Sequence, residues 1–516
     1  MNRTQWTPVL SASCGAAAGF YCLAALFRSG LIGINALLAL VLVPAALLCF
    51  FRSVVSVPRV WVNGLPALVR RMSIHSVAFA AGLAAGMGAG TAAVPPVRLG
   101  VPDSALRAVS GVLLDDPRVI SGGRVMAALA LRESLGRIPG GSGDVRVSAA
   151  GEILVFFPAE TAGRIREFGR GTVVLAEGAL QKSGAGRGGT YSPYLFSADS
   201  AHVVTAAPVF ERFRTGVRLG LIQRFDRAAP GSDASWGGLA LALLLGIRDS
   251  LDSGLAAQYR DAGCSYILAL SGMHLAVLAG LISLLLKRAL GMRTAAAAGA
   301  VIIVLYCFIT GPLPSLYRAA LMYLLGVVAV LGMLKREPLS LLGMAFLIQI
   351  MAAPQSGLSL SFILSYLALA GILISGESLA GIFRGVIPHA LLQSLSASLG
   401  AFLATAGVSA FFFGVLHPAG IIAGLALVPL TTVFMIGSLF WLGLDCIAPA
   451  VSGLAGRPLS LLYGLMEKIV SVAARVPGIR MNPHMALWLS LSLIAVIAWS
   501  GWYSRIARGR VDSFDQ

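Results

Sequence analysis

The chain has 516 residues, 57% of them hydrophobic and only 12% charged, with a mean hydropathy of +0.84 and a net charge of +17. An ordinary soluble domain carries about 25% charged residues, so this composition excludes a soluble globular protein and points to a polytopic α-helical membrane protein. Cys14, Cys22, Cys49, Cys264, Cys307 and Cys446 all fall in or beside hydrophobic segments, without the spacing of a zinc site or a disulfide framework, and read as small buried side chains.

Residues 1–97 hold three hydrophobic runs, Ala12–Phe27, Leu31–Phe51 and Ile74–Val94, close to the roughly 20 apolar residues that a span needs. The first is too long, and too quickly followed by the second, for a cleaved signal peptide. Apolar density then falls at Pro95 and Pro96, and residues 98–208 alternate in short runs between Gly-rich turns. Val145–Ser148, Ile153–Phe157, Thr172–Leu180 and Tyr191–Phe196 read as strands, and five or six strands of this size suit a compact barrel. Val125–Glu133 is ambiguous, since the helix-forming stretch Met126–Leu131 sits among strand signals. The Gly-rich string from Gly184 to Gly189 resembles a dinucleotide fingerprint as text, but Thr190-Tyr191-Ser192-Pro193 follows it rather than a helix, which makes it a hairpin loop.

In residues 209–235, Arg212, Arg214, Arg218, Arg224 and Arg227 alternate with Phe210, Phe213, Val217, Leu221 and Phe225. Helical spacing gathers most of the apolar residues on one stripe, which predicts an amphipathic helix at the membrane interface. Its arginines read first as lipid headgroup anchors and second as a basic collar at a channel mouth. Residues 236–510 are almost continuously hydrophobic, with runs such as Ile267–Leu286 and Leu487–Trp499, and form a multi-helix domain. Breaks are expected at Gly311-Pro312-Leu313-Pro314, Pro354, Pro388, Pro418, Pro429, Pro449, Pro458 and Pro477. Glu467 and Lys468 lie in the middle of Pro458–Val476, yet counting crossings makes this segment a span.

Positive loop charge orients the chain. Arg52, Arg59, Arg70 and Arg71, then Lys287 and Arg288, then Lys335 and Arg336, and finally Arg505, Arg508 and Arg510 all adjoin hydrophobic segments. The positive-inside rule places these clusters and both termini in the cytoplasm, and the β domain outside.

Chemistry-bearing motifs are sparse. The sequence has no phosphate-binding Gly-x-x-x-x-Gly-Lys-Ser/Thr loop, no Gly-x-Ser-x-Gly elbow and no close pairing among His75, His202, His274, His389, His417 and His484. This predicts neither enzyme, metal nor cofactor, and an energy source elsewhere. Polar residues gather where the membrane half begins, as Arg248, Asp249 and Asp252, then Ser271, Gly272 and His274, with Arg318 further on. An arginine at mid-membrane costs about 2.5 to 3.5 kcal/mol on insertion scales, so such groups face a partner or water. Arg248, Asp249 and Asp252 suit a solvated surface turn as well as a channel lining. Ser271-Gly272 suits close helix packing or a bend, and His274 suits an interhelical hydrogen bond or a substrate contact.

The blocks Leu244-Leu-Gly246-x-Arg248, Ala262-Gly263-Cys-Ser265 through Ala269-Leu-Ser271-Gly272-Met-His274, Thr310-Gly311 with Tyr317-Arg318-Ala319-Ala320, and Leu360-Ser361-Phe362 resemble the ComEC competence family. Departures from that pattern are Tyr266, Ile247 before Arg248, and Gly357-Leu-Ser-Leu360. The resemblance implies a few N-terminal spans, an extracytoplasmic OB-like barrel and a helical channel. By the same resemblance, the chain imports single-stranded DNA through the bacterial inner membrane during natural transformation. Arg248, Asp249, Ser271, Gly272, His274, Gly311, Arg318, Ser361 and Phe362 are the candidates for the DNA path, because phosphates need a basic or dipolar lining. Phe156, Phe157, Tyr191, Tyr194 and Phe196 are available for base stacking, with at most one of Phe156 and Phe157 on a given face. The implied partners are single-stranded DNA, the lipid bilayer, a cytosolic ATPase or helicase motor, a DNA receptor, and a separate nuclease in place of the fused metallo-β-lactamase-like domain of many members. A homo-oligomer is one possible arrangement. Broken helices with buried charge also suit a secondary transporter of a small anionic solute, and the departures suit a transport-inactive membrane assembly module.

Overall fold

The computed structural model describes residues 8–27, 79, 81–86, 97–119, 124–137, 144–158, 160, 169–182, 194–228, 236–270, 272–311, 313–333, 337–382, 389–482, 484–486, 488–489 and 492–493. Among them, Val94–Asp252 with Leu305–Pro312 form one compact unit, and the others form a second.

The first unit is built on a barrel. Its strands are β1 (Leu106–Leu113), β2 (Arg118–Val119), β3 (Val125–Arg137), β4 (Asp144–Ser148), β5 (Glu152–Phe157), β6 (Val173–Lys182) and β7 (Tyr194–Thr205). Antiparallel pairings join β1 to β3 and β6, β3 to β5, and β6 to β7, and a parallel β5–β7 pair closes the ring. β2 and β4 add to β3 outside that ring of five. The alternation that predicted strands is the alternation that fills the barrel: Ile153, Val155 and Phe157 point in while Glu152, Leu154 and Phe156 are partly exposed. Val109, Leu129, Val174 and Phe196 complete the same core. Val125–Glu133 resolves as strand, since Val125, Ala127, Leu129 and Leu131 are all buried there and that burial outweighs the helix propensity of alanine and leucine. Gly178 has a packing reason, because a Cβ there would come within 2.0 Å of the Ser197 carbonyl, at a register shift between β6 and β7.

The predicted amphipathic helix follows as Val209–Ala228, and then Trp236–Leu245, buried over its whole length. Phe210 and Phe213 stand exposed, as a lipid-facing stripe requires. Arg214 does not follow that scheme, because it is buried.

Four helices among the described residues are long and apolar enough to cross a membrane: Gly272–Thr310, Pro314–Leu331, Leu392–Phe413 and Ala419–Ile447. The first counts 39 residues and is interrupted at Gly291, whose φ of 75° and ψ of 171° no helix contains. Each part is about 27 Å long at 1.5 Å per residue, close to the hydrocarbon thickness.

Several expected breaks are present. Thr310 ends one helix, Gly311 takes a φ of 93°, and Pro314 opens the next. Pro354 begins a short 3₁₀ turn, and Pro449 opens Pro449–Ala473. Two expected breaks are corrected: Pro429 lies inside Ala419–Ile447 and Pro458 inside Pro449–Ala473, where the chain stays helical. Helices in a membrane bundle tolerate proline because surrounding groups can satisfy the carbonyl that it frees. The Ile267–Leu286 run is also corrected, because it divides into a short helix, Ser265–Leu268, an extended Ala269, and a new helix from Gly272.

In the second unit the first hydrophobic run is the helix Pro8–Phe27. It meets part of the third through small residues, since a Cβ on Gly82 would lie 1.9 Å from the Ala12 carbonyl and one on Gly86 2.0 Å from that of Ala16. Tyr21 donates a hydrogen bond to the Gly357 carbonyl at 2.9 Å. The second run, Leu31–Phe51, lies outside the described residues, as do Pro388, Tyr191 and the Gly184–Gly189 string.

Candidate functional site

The chain break before Gly272 and the helix Pro314–Leu331 frame a polar cluster in the membrane half. Where the backbone leaves helix, its carbonyls need donors. Ser315 Oγ donates to the Leu270 carbonyl at 2.7 Å, and Gln349 Nε2 donates to that of Pro314 at 3.1 Å. Tyr366 in turn donates its hydroxyl hydrogen to Gln349 Oε1 at 3.0 Å, which fixes the amide orientation.

Arg318 lies in this cluster, one turn into its helix and 6% exposed. Its Nη1 donates to the Ser365 carbonyl, and its guanidinium carbon stands 5.9 Å from the centre of the Tyr366 ring, within cation–π range. The guanidinium packs against Gly272, where a Cβ would be 2.7 Å from Arg318 Nη2. Nε of Arg318 is buried with no hydrogen-bond partner among the described residues, and no carboxylate among them lies within ion-pair distance. The guanidinium stays protonated under all ordinary conditions, so a positive charge is held here without a counter-ion from the described chain.

A second buried cluster lies in the barrel unit. Arg214, 1% exposed, donates from Nε to Glu211 Oε2 at 2.7 Å and from Nη2 to Asp116 Oδ1, on the turn between β1 and β2. Arg218 lies 3.7 Å from Asp116 Oδ2 and donates from Nη1 to the carbonyls of Ile309 and Thr310, at 3.1 and 2.7 Å. A cation on the last carbonyls of a helix answers the negative end of its dipole. Burial pulls the Arg218 pKa down, and Asp116 opposes that pull. The predicted headgroup role is therefore corrected for Arg214 and Arg218, which bind carboxylates and a helix end instead.

A family model described as Competence protein matches residues 243–506, more than half of the chain. The chain belongs to this competence family. Its role lies in DNA uptake or competence, and it is a membrane protein. No curated protein and no solved structure matches it. The competence segment holds Arg318 and its neighbours, whereas Asp116, Glu211, Arg214 and Arg218 precede it.

The other sequence candidates fall in separate places within that segment. Arg248 and Asp249 are exposed on the turn after Trp236–Leu245, which begins at Gly246 with a φ of 70°. His274 is fully buried in the first turn of the helix from Gly272. Gly311 supplies the left-handed residue at the Thr310 break, where a Cβ would be 3.0 Å from Arg214 Nη1. Phe362 is core, its ring 4.5 Å from that of Tyr366 and 5.7 Å from that of Phe346, while Ser361 faces outward. Ser271 lies outside the described residues. Of the nine candidates, the structure brings Gly272 and Arg318 into contact.

Sequence reasoning missed Ser365, Tyr366 and Gln349 around Arg318, and the acid groups around Arg214. Only Glu211 carried a local signal, three residues before Arg214 on one helical face.

Proposed function

We propose that this competence protein is the inner-membrane channel through which single-stranded DNA enters the cell. One observation carries the reading: a closed barrel with an arginine-rich outer surface is inserted into a competence-family membrane chain. The ring order β1-β3-β5-β7-β6, with its parallel β5–β7 pair, supports the reading of this closed barrel as OB-like. Arg98, Arg107, Arg118, Arg124, Arg132 and Arg146 are exposed on it, and Arg132 and Arg146 line one surface cleft with Glu133, Val147 and Ser148. Such barrels follow a single strand with basic grooves and stack its bases on aromatic rings. Phe156 is partly exposed and suits that role, Tyr194 is partly exposed but packs against the barrel core, and Phe157 and Phe196 are core.

In this reading the barrel lies outside the inner membrane and both termini inside, following the loop charge. The chain is not itself an enzyme. A separate cytosolic motor supplies the work, a receptor delivers DNA, and a separate nuclease provides the single strand.

A clean deletion strain tests the proposal. Labelled DNA should fail to reach the cytoplasm, and the wild-type gene should restore entry; normal uptake without the gene overturns the reading. The barrel's part is read from full-length protein in nanodiscs. Converting Arg132 and Arg146 together to Gln should lower the salt slope of single-strand binding by about 1.4, at roughly 0.7 per phosphate contact.

A further inference from the structure

The helix Pro449–Ala473 carries ionisable groups at a depth that its neighbour fixes. Near one end of Ala419–Ile447, Trp441 Nε1 donates to the Ser452 carbonyl at 3.0 Å, and a Cβ on Gly437 would lie 2.9 Å from the Leu459 side chain. Beyond the other end, Val415 and Leu416 pair with Arg480 and Ile479. The two helices are therefore antiparallel partners from end to end, and Ala419–Ile447 is long and apolar enough to cross a membrane. In this register its middle residue, Val433, stands level with Leu462. At 1.5 Å per residue, Arg457, Glu467 and Lys468 lie about 7 to 9 Å from that level, and Ser460 and Gly464 about 3 Å. Hydrocarbon extends about 15 Å to either side of the midplane.

Helical spacing divides Pro449–Ala473 into three faces. Leu459, Tyr463, Met466 and Val470 are buried, and Leu454, Leu461, Leu465 and Val472 form an exposed apolar stripe that suits lipid. On the remaining side run Arg457, Ser460, Gly464 and Glu467, three or four residues apart, with Lys468 at the edge of the apolar stripe. Arg457, Ser460 and Lys468 are exposed, Glu467 is half-buried, and a Cβ on Gly464 would meet nothing within 4 Å. Arg457, Glu467 and Lys468 form no ion pair among the described residues.

Hydrocarbon is a poor neighbour for this face. Arginine and lysine can extend their long stems toward the headgroups, but the carboxylate of Glu467 is on too short a chain to follow. A second copy, related by a two-fold axis along the membrane normal, would set each Arg457 against its twin and repel it. The flanking chain offers no counter-charge, since residues 1–102 and 474–511 contain no Asp or Glu. A phosphodiester strand in water meets both needs. Water solvates Glu467, and phosphates balance Arg457 and Lys468, which are about 16 Å apart along the helix.

We propose that the face of Arg457, Ser460, Gly464 and Glu467 borders water at mid-membrane and is a wall along which a phosphodiester strand passes. The inference rests on the channel reading for the strand, and goes beyond it by naming a helix face that lines the route.

The test uses full-length protein in nanodiscs. Ser460→Cys is treated with an anionic, membrane-impermeant methanethiosulfonate, and modification is read at each cysteine by peptide mass spectrometry. Cys446, exposed at the turn before Pro449, is the internal standard. Ser460→Cys should react at least about tenfold faster than Leu461→Cys on the apolar stripe, because the reactive thiolate forms in water and not in lipid. A long single-stranded oligonucleotide should slow the reaction at Ser460→Cys several-fold and leave that of Cys446 unchanged, and its uncharged methylphosphonate analogue should slow neither. If Ser460→Cys fails to fold, Gly464→Cys serves, because the space around that position is open. Equal, slow rates at Ser460→Cys and Leu461→Cys overturn the proposal. A disulfide between two chains at Ser460→Cys overturns it in favour of a second copy. Fast labelling that the oligonucleotide does not slow overturns the strand route along this face. None of these three outcomes touches the channel reading, which DNA entry in the deletion strain decides separately.

Discussion

Arg214 and Arg318 are buried to nearly the same degree, 1% and 6% exposed, yet their surroundings are opposite. Arg214 in the barrel unit meets Asp116 and Glu211, and its neighbour Arg218 covers the carbonyls of a helix end. Arg318 in the membrane unit meets one carbonyl and one aromatic ring, beside the positive end of a helix. The first arrangement balances its charge and is structural, although Arg214 Nη1 is also buried without a hydrogen-bond partner among the described residues. The second is electrostatically unfinished, and burial of a charge without its counter-charge is what separates a site from a staple.

The largest effect that would break this comparison is at Arg214. Its replacement by alanine removes the buried cation that Asp116 and Glu211 share and leaves each a more distant arginine, Arg218 at 3.7 Å and Arg170 at 3.9 Å. It should therefore cost about 3 kcal/mol, the lower end for a broken buried pair, read from denaturant unfolding by circular dichroism. Adding Asp116→Asn and Glu211→Gln should recover part of that loss. A cost well below 1 kcal/mol for Arg214→Ala would remove the distinction.

At Arg318 the sign should reverse. Arg318→Leu removes a charge that nothing in the described chain neutralises, so stability in phosphate-free nanodiscs should stay level or rise, by at most about 2.5 to 3.5 kcal/mol. Loss of several kcal/mol in that variant would instead make Arg318 a structural member like Arg214.

The smallest effect sharpens the barrel side. Asp115 accepts from the Ala128 amide at 2.9 Å, but burial is the dominant influence and raises its pKa above the ordinary carboxylate value. A carboxylate with a raised folded pKa favours the folded state more as pH falls toward its unfolded pKa. Asp115→Asn should therefore stabilise the barrel slightly near pH 7, and the gain should vanish as the medium approaches pH 4, in paired thermal melts.

The sequence revealed these regions unequally. Barrel strands such as Ile153–Phe157 were legible because period-two alternation is a local consequence of having one wet and one dry face. The Gly311–Pro314 break was legible for a similar reason, since glycine and proline there impose it locally. Pro429 and Pro458 lie inside helices and do not break them, since a membrane bundle tolerates proline where surrounding groups can satisfy the freed carbonyl. Arg318 stood out as a charge in an apolar run, but the carbonyl that holds it is Ser365, 47 residues on. Arg214 looked like a surface anchor because its main partner, Asp116, is 98 residues earlier. Helical periodicity shows which residues share a face and says nothing of what the tertiary fold brings to that face.

The two capped carbonyls beside Arg318 bear on a demand that the proposed channel would face. A path wide enough for nucleic acid threatens to discharge the gradient that powers the membrane, because protons and potassium would cross with it. Were the proposed channel to pass this cluster, Ser315 and Gln349 would withhold two carbonyl oxygens from such ions, and the guanidinium, without a counter-ion among the described residues, would repel them. Such a lining would select by sign and oppose cation leak with no strand inside.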